Sequence, residues 1–164
     1  MGQHQLPQRD SFQIPRTMPV TIRPAVPADL TDCALFFTEV FNAPPWDEQW
    51  TKESSWQRLS DCMHTPNFLG LIAEAGAEIV AMAFGYSQRY QEELHYNLLE
   101  FCVANERQGE GIGSELLAEL HSRLLEAGVA RVCTLTARDT PAQEFYLKGG
   151  FYISPKMILM SRRY

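Results

Sequence analysis

The sequence predicts an α/β domain built on one mixed, mostly antiparallel sheet flanked by helices, and three observations predict it. Two apolar runs, Phe68–Glu74 and Glu78–Tyr86, are joined through Ala75-Gly76-Ala77, which is hairpin punctuation and implies antiparallel pairing. A third run, Leu98–Val103, passes through Gly109, Gly111 and Gly113 into a helix with one apolar face. That helix delivers another strand-like run, Val129–Thr136, so the far side of the sheet is connected by a crossover.

Each element has its own signal. Residues 1–17 are polar, with no hydrophobic period, and read as a flexible tail before a single domain over 18–164. Alternation in Val20-Thr21-Ile22-Arg23 marks a first strand, and Pro27-Ala28-Asp29 opens a helix carrying Leu30, Cys33, Ala34 and Phe37 toward the core. That helix stops before Asn42-Ala43-Pro44-Pro45. A second helix is expected from Asp47 to about Met63, capped by Asp47, with Trp46 and Trp50 one helical turn apart. After the hairpin, Ser87–His95 reads as a polar connection bearing aromatic residues. The helix after Gly113 places Leu116, Leu117, Leu120, Leu124 and Leu125 on one face and ends near Gly128. A last helix over Thr140–Lys148 and the final strand or strands over Phe151–Met160 are expected to follow.

Composition bounds the function. A chain of 164 residues, 45% hydrophobic and 21% charged, is the size of one globular domain. Cys33, Cys62, Cys102 and Cys133 form no C-x-x-C pair, and no leader pattern precedes the domain, so a reduced, cytoplasmic protein is expected. No run approaches the ~20 apolar residues of a membrane span. His4, His64, His95 and His121 lack metal-ligand spacing and are expected at the surface, so no metal is expected. The net charge of −6 argues against a nucleic-acid partner and is mildly favourable to cationic substrates.

The junction Val103–Ser114 is suited to holding phosphate. Glycine permits a tight turn and a close approach, and the first N–H groups of the following helix point at a bound anion along the helix dipole. A P-loop is excluded because no lysine follows Gly113. A dinucleotide fingerprint is excluded because it requires glycine at Ser114 or at Leu116.

Gln108-Gly109-Glu110-Gly111-Ile112-Gly113 instead fits Q/R-x-x-G-x-G/A, and in this the chain resembles the GNAT (GCN5-related) N-acetyltransferases. Two flanking segments extend the resemblance. Leu98–Val103 is similar to the family's fourth strand, and Ala142-Gln143-Glu144-Phe145-Tyr146-Leu147-Lys148-Gly149-Gly150-Phe151 is similar to its A-x-x-F-Y-x-x-x-G-F segment. The resemblance implies an acyl-CoA N-acyltransferase fold in which the fourth and fifth strands splay apart at a bulge. It implies acetyl-CoA as co-substrate, held by Phe101, Cys102, Val103, Gln108, Gly109, Glu110, Gly111, Ile112, Gly113 and Ser114. Two departures accompany it. Glu110 stands where relatives often carry a basic residue, and Thr140-Pro141 where many carry an asparagine.

Acetyl transfer to an amine needs a base, because an alkylamine with a pKa near ~10.4 is almost wholly protonated at neutral pH. Glu100 is the candidate, since a carboxylate within an apolar strand must face a cleft, solvent or a salt-bridge partner. Desolvation raises its pKa and makes it a better base. Tyr146 matches the family's tyrosine near the acetyl-CoA sulfur, which implies an acid for the departing thiolate; the Phe145-Tyr146 pair also suits plain packing. A backbone N–H at Val103 is expected to polarise the carbonyl. Cys102 has no histidine base beside it in sequence and is expected to be a buried strand residue, not a covalent nucleophile.

The acceptor is expected between the Pro44-Pro45-Trp46 region and the Ser87–His95 connection, with Trp46, Trp50, Tyr86 and Tyr90 as its aromatic contacts. Asp47, Glu48, Glu53, Glu92 and Glu93 lend these segments an acidic character that suits a polyamine, an aminoglycoside or another small cationic amine, and equally a solvated face. Two further readings stay open: a non-catalytic acyl-CoA-binding module, and a protein or peptide N-acetyltransferase. The family resemblance also makes a homodimer an expectation.

Overall fold

The computed structural model describes residues 18–164, so the reading of residues 1–17 as a tail lies outside it. Five strands form one sheet in the order β1 (Val20–Pro24), β2 (Phe68–Ala75), β3 (Glu78–Tyr90), β4 (Glu93–Val103) and β5 (Val129–Thr134). The first three pairings are antiparallel and β4 pairs with β5 in parallel, as the hairpin and crossover signals require. The helices are α1 (Leu30–Asn42), α2 (Lys52–Met63), α3 (Ile112–Glu126) and α4 (Pro141–Lys148).

Two apolar layers sandwich the sheet. On one face, Leu71, Ala73, Ala81, Ala83 and Leu98 pack against Leu116, Leu117, Leu120 and Leu124 of α3, joined by Tyr146 of α4. On the other, Ile72, Met82, Phe84 and Cys102 pack against Cys33, Phe37 and Val40 of α1 and Leu59 of α2. Arg23 locks the N-terminal edge with two forks. Its Nη1 and Nη2 donate to Asp29 at 2.8 Å each, and its Nε and Nη2 donate to Glu74 at 2.9 and 2.7 Å.

Five expectations require correction. The second helix begins at Lys52, not Asp47. Asp47 takes a left-handed φ of 47°, and Thr51 and Ser54 form a reciprocal capping box that starts the helix instead. Trp46 and Trp50 therefore lie in the preceding loop, and their spacing is not a helical turn. Residues 87–95 are not a loop but the outer half of the β3–β4 hairpin, paired from Ser87↔Tyr96 to Tyr90↔Glu93. Polar residues pair there because an exposed hairpin meets water, and Tyr96 anchors it by donating from its hydroxyl to the Leu69 carbonyl at 2.7 Å. Leu125 is 74% exposed, because Leu124 takes the inward position next to it on α3.

The expected last strand over Phe151–Met160 does not form. Phe151 is fastened by its N–H to the Tyr146 carbonyl at 3.0 Å, and no strand partner lies beyond it among the described residues. Of the histidines, His95 is half-buried beside Glu93, and His121 lies against Phe151 with its ring pKa lowered by burial.

Candidate active site

The site is created by one extra residue. β3 and β4 run in register through Gly85↔Leu98 and resume at Phe84↔Glu100, leaving Leu99 unmatched as a bulge. The bulge reverses the facing of the strand. Leu98, Phe101 and Val103 point toward α3 and α4, whereas Glu100 and Cys102 point toward α1 and α2. It also bends β4 away from β5, whose last pairing is Leu98↔Thr134. Beyond that pair the two strands part.

A cavity of about 300 Å³ opens at this divergence, walled by Glu100 and Phe101 on one side and by Thr134 to Ala137 on the other. Its floor and roof include Phe41, Trp46, Trp50, Arg58 and Tyr146. Glu100 is 6% exposed, and its Oε1 accepts a hydrogen bond from Nε of Arg58 at 2.6 Å. Burial pushes its carboxyl pKa above the usual range, and the Arg58 guanidinium opposes that shift without cancelling it. Tyr146 packs edge-on against Phe101, Phe145 and Phe151 at centroid distances of 6.2, 5.3 and 5.1 Å. Burial pushes its phenol up to about 12, so it carries its proton throughout the physiological range.

Among the expected acceptor contacts, Trp46 and Trp50 line the cavity, and Tyr86 and Tyr90 do not. Tyr90 pairs with Glu93 at the tip of the hairpin, so Glu92 and Glu93 also lie at the end of β4 remote from Glu100. Among the described residues, the acidic ones that line the cavity are Glu48 and Glu100. Glu48 accepts a hydrogen bond from Nε1 of Trp50, whose backbone N–H and carbonyl are both held by the side-chain amide of Asn42 at 2.8 Å.

Arg58, Asn42 and Phe41 were not among the sequence candidates. One signal for Arg58 was available: a carboxylate buried in an apolar strand demands a cationic partner. Nothing local said that α2 would supply it.

The glycine junction is as tightly specified. Gly109 and Gly111 have φ of 81° and 88°, and a Cβ on either would meet no atom within 4 Å, so the backbone forms an open cradle. Gly113 passes close to Val103 and Phe145, where a Cβ would come within 3.3 and 3.4 Å. Glu115 makes the first bond of α3 to the Gly111 carbonyl, which leaves the amides of Ile112, Gly113 and Ser114 without helical acceptors. Gln108 donates to the Val103 carbonyl at 3.2 Å and so ties the loop to β4. Glu110 is paired with Arg107, whose Nε donates to it at 2.7 Å. The negative charge that stands in place of a basic residue is thereby neutralised beside the loop. Open glycines and orphan amides at a helix N-terminus suit the pyrophosphate of coenzyme A.

Cys102 lies beside Glu100 on the inner strand and is 6% exposed. Burial drives its thiol pKa well above the ordinary value, so it lacks the thiolate a covalent route requires. Among the described residues, no group of three or more histidines, cysteines or carboxylates is arranged to hold a metal, and no helix is long and apolar enough to cross a membrane.

Comparison with known proteins agrees with this geometry. A transcriptional regulator from Bacillus halodurans C-125 superposes with a TM-score of 0.71 at 24% identity, over 88% of this chain and 100% of that one. An aminoglycoside N-acetyltransferase in complex with CoA gives 0.71 at 15% identity, over 92% and 99% of the two chains. An aminoglycoside acetyltransferase from an uncultured soil metagenomic sample gives 0.69 at 19%, over 88% and 96%. At these identities the likeness is one of fold. No curated protein matches the chain in sequence. The profile of the acetyltransferase (GNAT) family, however, matches residues 36–151, which contain the bulged strand, the glycine cradle and Tyr146. With the splayed strands and the cradle both in place, this chain belongs to the GNAT family and is an acetyl-CoA-dependent N-acetyltransferase.

Proposed function

We propose that the enzyme moves the acetyl group to a primary amine of a small molecule by direct attack, with Glu100 as general base and Tyr146 as general acid. The observation that carries this reading is that both side chains line the one cavity where β4 and β5 part. Acetyl-CoA supplies the thioester, whose carbonyl carbon gains a bond to nitrogen and loses its bond to sulfur. Glu100 takes the proton released by the attacking amine, directly or through water, and its apolar surroundings favour that transfer. Tyr146 gives its proton to the departing sulfur. The Val103 amide, on the same strand as Glu100, is the group assigned to polarise the carbonyl. The acceptor classes open to this reading are a polyamine or an aminoglycoside, which the aminoglycoside acetyltransferases of like fold favour, and any other primary amine that Glu48 and Glu100 can hold in the cavity.

A cytoplasmic location belongs to the same reading, supported by three buried free cysteines, Cys33, Cys62 and Cys102. So does a homodimer. Ile158, Leu159 and Met160 are apolar yet 74–82% exposed, and among the described residues the edge strand β5 pairs only with β4. A second copy covering these surfaces satisfies both, and light scattering after removal of residues 152–164 tests it by the loss of the dimer.

The test of the reaction is thiol release from acetyl-CoA across a panel of primary amines, with thermal-shift binding of coenzyme A alongside. Acceptor-dependent release is expected, with kcat lowered about 100-fold or more in Glu100→Gln while coenzyme A still binds. Binding without turnover of any amine favours the non-catalytic acyl-CoA-binding module instead.

A further inference from the structure

Arg58 is only partly used by the fold. Its Nε is committed to Glu100, yet its side chain is 47% exposed and its two Nη groups have no hydrogen-bond partner among the described residues. Nor is the guanidinium loose. It lies over the Trp50 ring, 5.4 Å from the centroid, and Trp50 is itself held by Asn42 and Glu48. The bond to Glu100 on one edge and the indole on one face fix the plane, so the remaining N–H groups form an aimed fork at the cavity wall. A guanidinium fork held in this way matches a carboxylate in both shape and charge.

We propose that the acceptor is a free amino acid with an apolar or aromatic side chain, its amine at Glu100 and its carboxylate on the Nη fork of Arg58. This assignment rests on the reading of the cavity as the acceptor site. Each part of such a molecule meets a complementary group. The amine finds Glu100 and Glu48, the carboxylate finds Arg58, the one cationic residue lining the cavity among the described residues, and the side chain finds Phe41, Trp46 and Trp50. A polyamine or an aminoglycoside has nothing for the Nη groups to hold, and a second positive charge beside Arg58 is repelled. A peptide N-terminus carries a neutral amide where this site offers a cation. The fork therefore discriminates among the acceptor classes open to the fold.

The experiment uses matched acceptor pairs: phenylalanine with phenethylamine, tryptophan with tryptamine, and leucine with 3-methylbutylamine, with spermidine and a dipeptide amide as further amines. Acetyl-CoA thiol release is measured for the full chain and for its Arg58→Gln and Arg58→Lys variants. The expected result is a kcat/KM about 30-fold or more higher for each amino acid than for its decarboxylated partner. Arg58→Gln abolishes that preference, and Arg58→Lys, which keeps the charge but not the fork, retains part of it. If the decarboxylated amines serve as well as the amino acids, the proposal is overturned while the acetyltransferase reading stands. Equal loss on both members of each pair in Arg58→Gln also overturns it, because Arg58 then only positions Glu100. Turnover of none of these acceptors, with coenzyme A binding intact by thermal shift, rules out the amino-acid acceptor; failure to bind coenzyme A strikes at the acetyltransferase itself.

Discussion

Nε of Arg58, on the second helix, donates to Oε1 of Glu100, on the fourth strand, at 2.6 Å, although 42 residues separate them in the chain. The pair joins a half-exposed cation to a carboxylate that is 6% exposed. It holds the Glu100 side chain in one orientation at the mouth of the strand gap, with the second carboxylate oxygen left for other partners.

The pH dependence of kcat follows from that setting. Burial raises the Glu100 pKa and Arg58 only partly offsets it, so Glu100 in its proposed role as base loses its function as pH falls through a value above the ordinary ~4.3 of a glutamate. The acidic limb of kcat is expected above that value in the native enzyme. In Glu100→Gln the limb disappears together with most of the rate, and a pH–rate profile of both proteins under saturating substrates checks it. A limb that survives unchanged in the variant assigns the titration elsewhere.

Tyr146 makes the opposite prediction at high pH. With its phenol pushed up to about 12, Tyr146 remains protonated, and no basic limb from this group is expected below about pH 10. Tyr146→Phe is expected to lower kcat about 10–100-fold with little change in the KM for acetyl-CoA. Stopped-assay kinetics on the variant decide this, and an unaltered kcat reduces Tyr146 to a wall of the tunnel.

Gly111 tests the cradle. Its φ of 88° lies in the left-handed region, and alanine there costs about 1–2 kcal/mol of backbone strain although space for a Cβ exists. Gly111→Ala is expected to relieve the strain by turning the amides of the first α3 turn, raising the KM for acetyl-CoA about 10-fold. Calorimetric titration with coenzyme A measures this independently of turnover. Retained affinity shows that the strained conformation is not needed for binding.

Gly85 tests the bulge. It sits beside the unmatched Leu99, and a Cβ would come within 2.1 Å of the Asn97 carbonyl oxygen and 2.7 Å of the Tyr96 ring, one of them backbone. Gly85→Ala is expected to destabilise the fold by about 2 kcal/mol or more, a fall of roughly 4–8 °C in Tm. A thermal melt that shifts by less than a degree means that the strands close here without cost.

Acid stability reports on the Arg23 forks. Hydrogen bonding to Arg23 holds the Asp29 carboxyl below its usual pKa, so the stability it contributes is fully present above the unfolded value of about 4 and is lost as pH falls through the folded one. Arg23→Gln is expected to remove about 1 kcal/mol at neutral pH, a modest figure because Arg23 is partly exposed. The two proteins should converge in stability at low pH. Denaturant titrations from neutral pH to about pH 2 follow this, and parallel curves leave the ion pairs without a stabilising role.

Sequence alone determined what is decided within a few neighbouring residues. The hairpin turn at Gly76, the tight glycine junction before the third helix and the apolar face of that helix follow from local backbone freedom and periodicity, and the structure contains all three. Glu100 was legible as an anomaly because a charge in an apolar strand needs a partner, but the partner was not legible. Arg58 reaches it only after the first and second helices have packed on the sheet, an outcome of long-range burial that no local pattern encodes. The start of the second helix at Lys52 and the extension of the β3–β4 hairpin to Tyr90 and Glu93 were likewise decided by capping and cross-strand pairing. The tertiary structure also decided where the strands part, since one unmatched residue, Leu99, sets the facing of every side chain after it. That single register shift brings Glu100, Arg58 and Tyr146 to one cavity, because a strand has a period of two and one extra residue exchanges its faces.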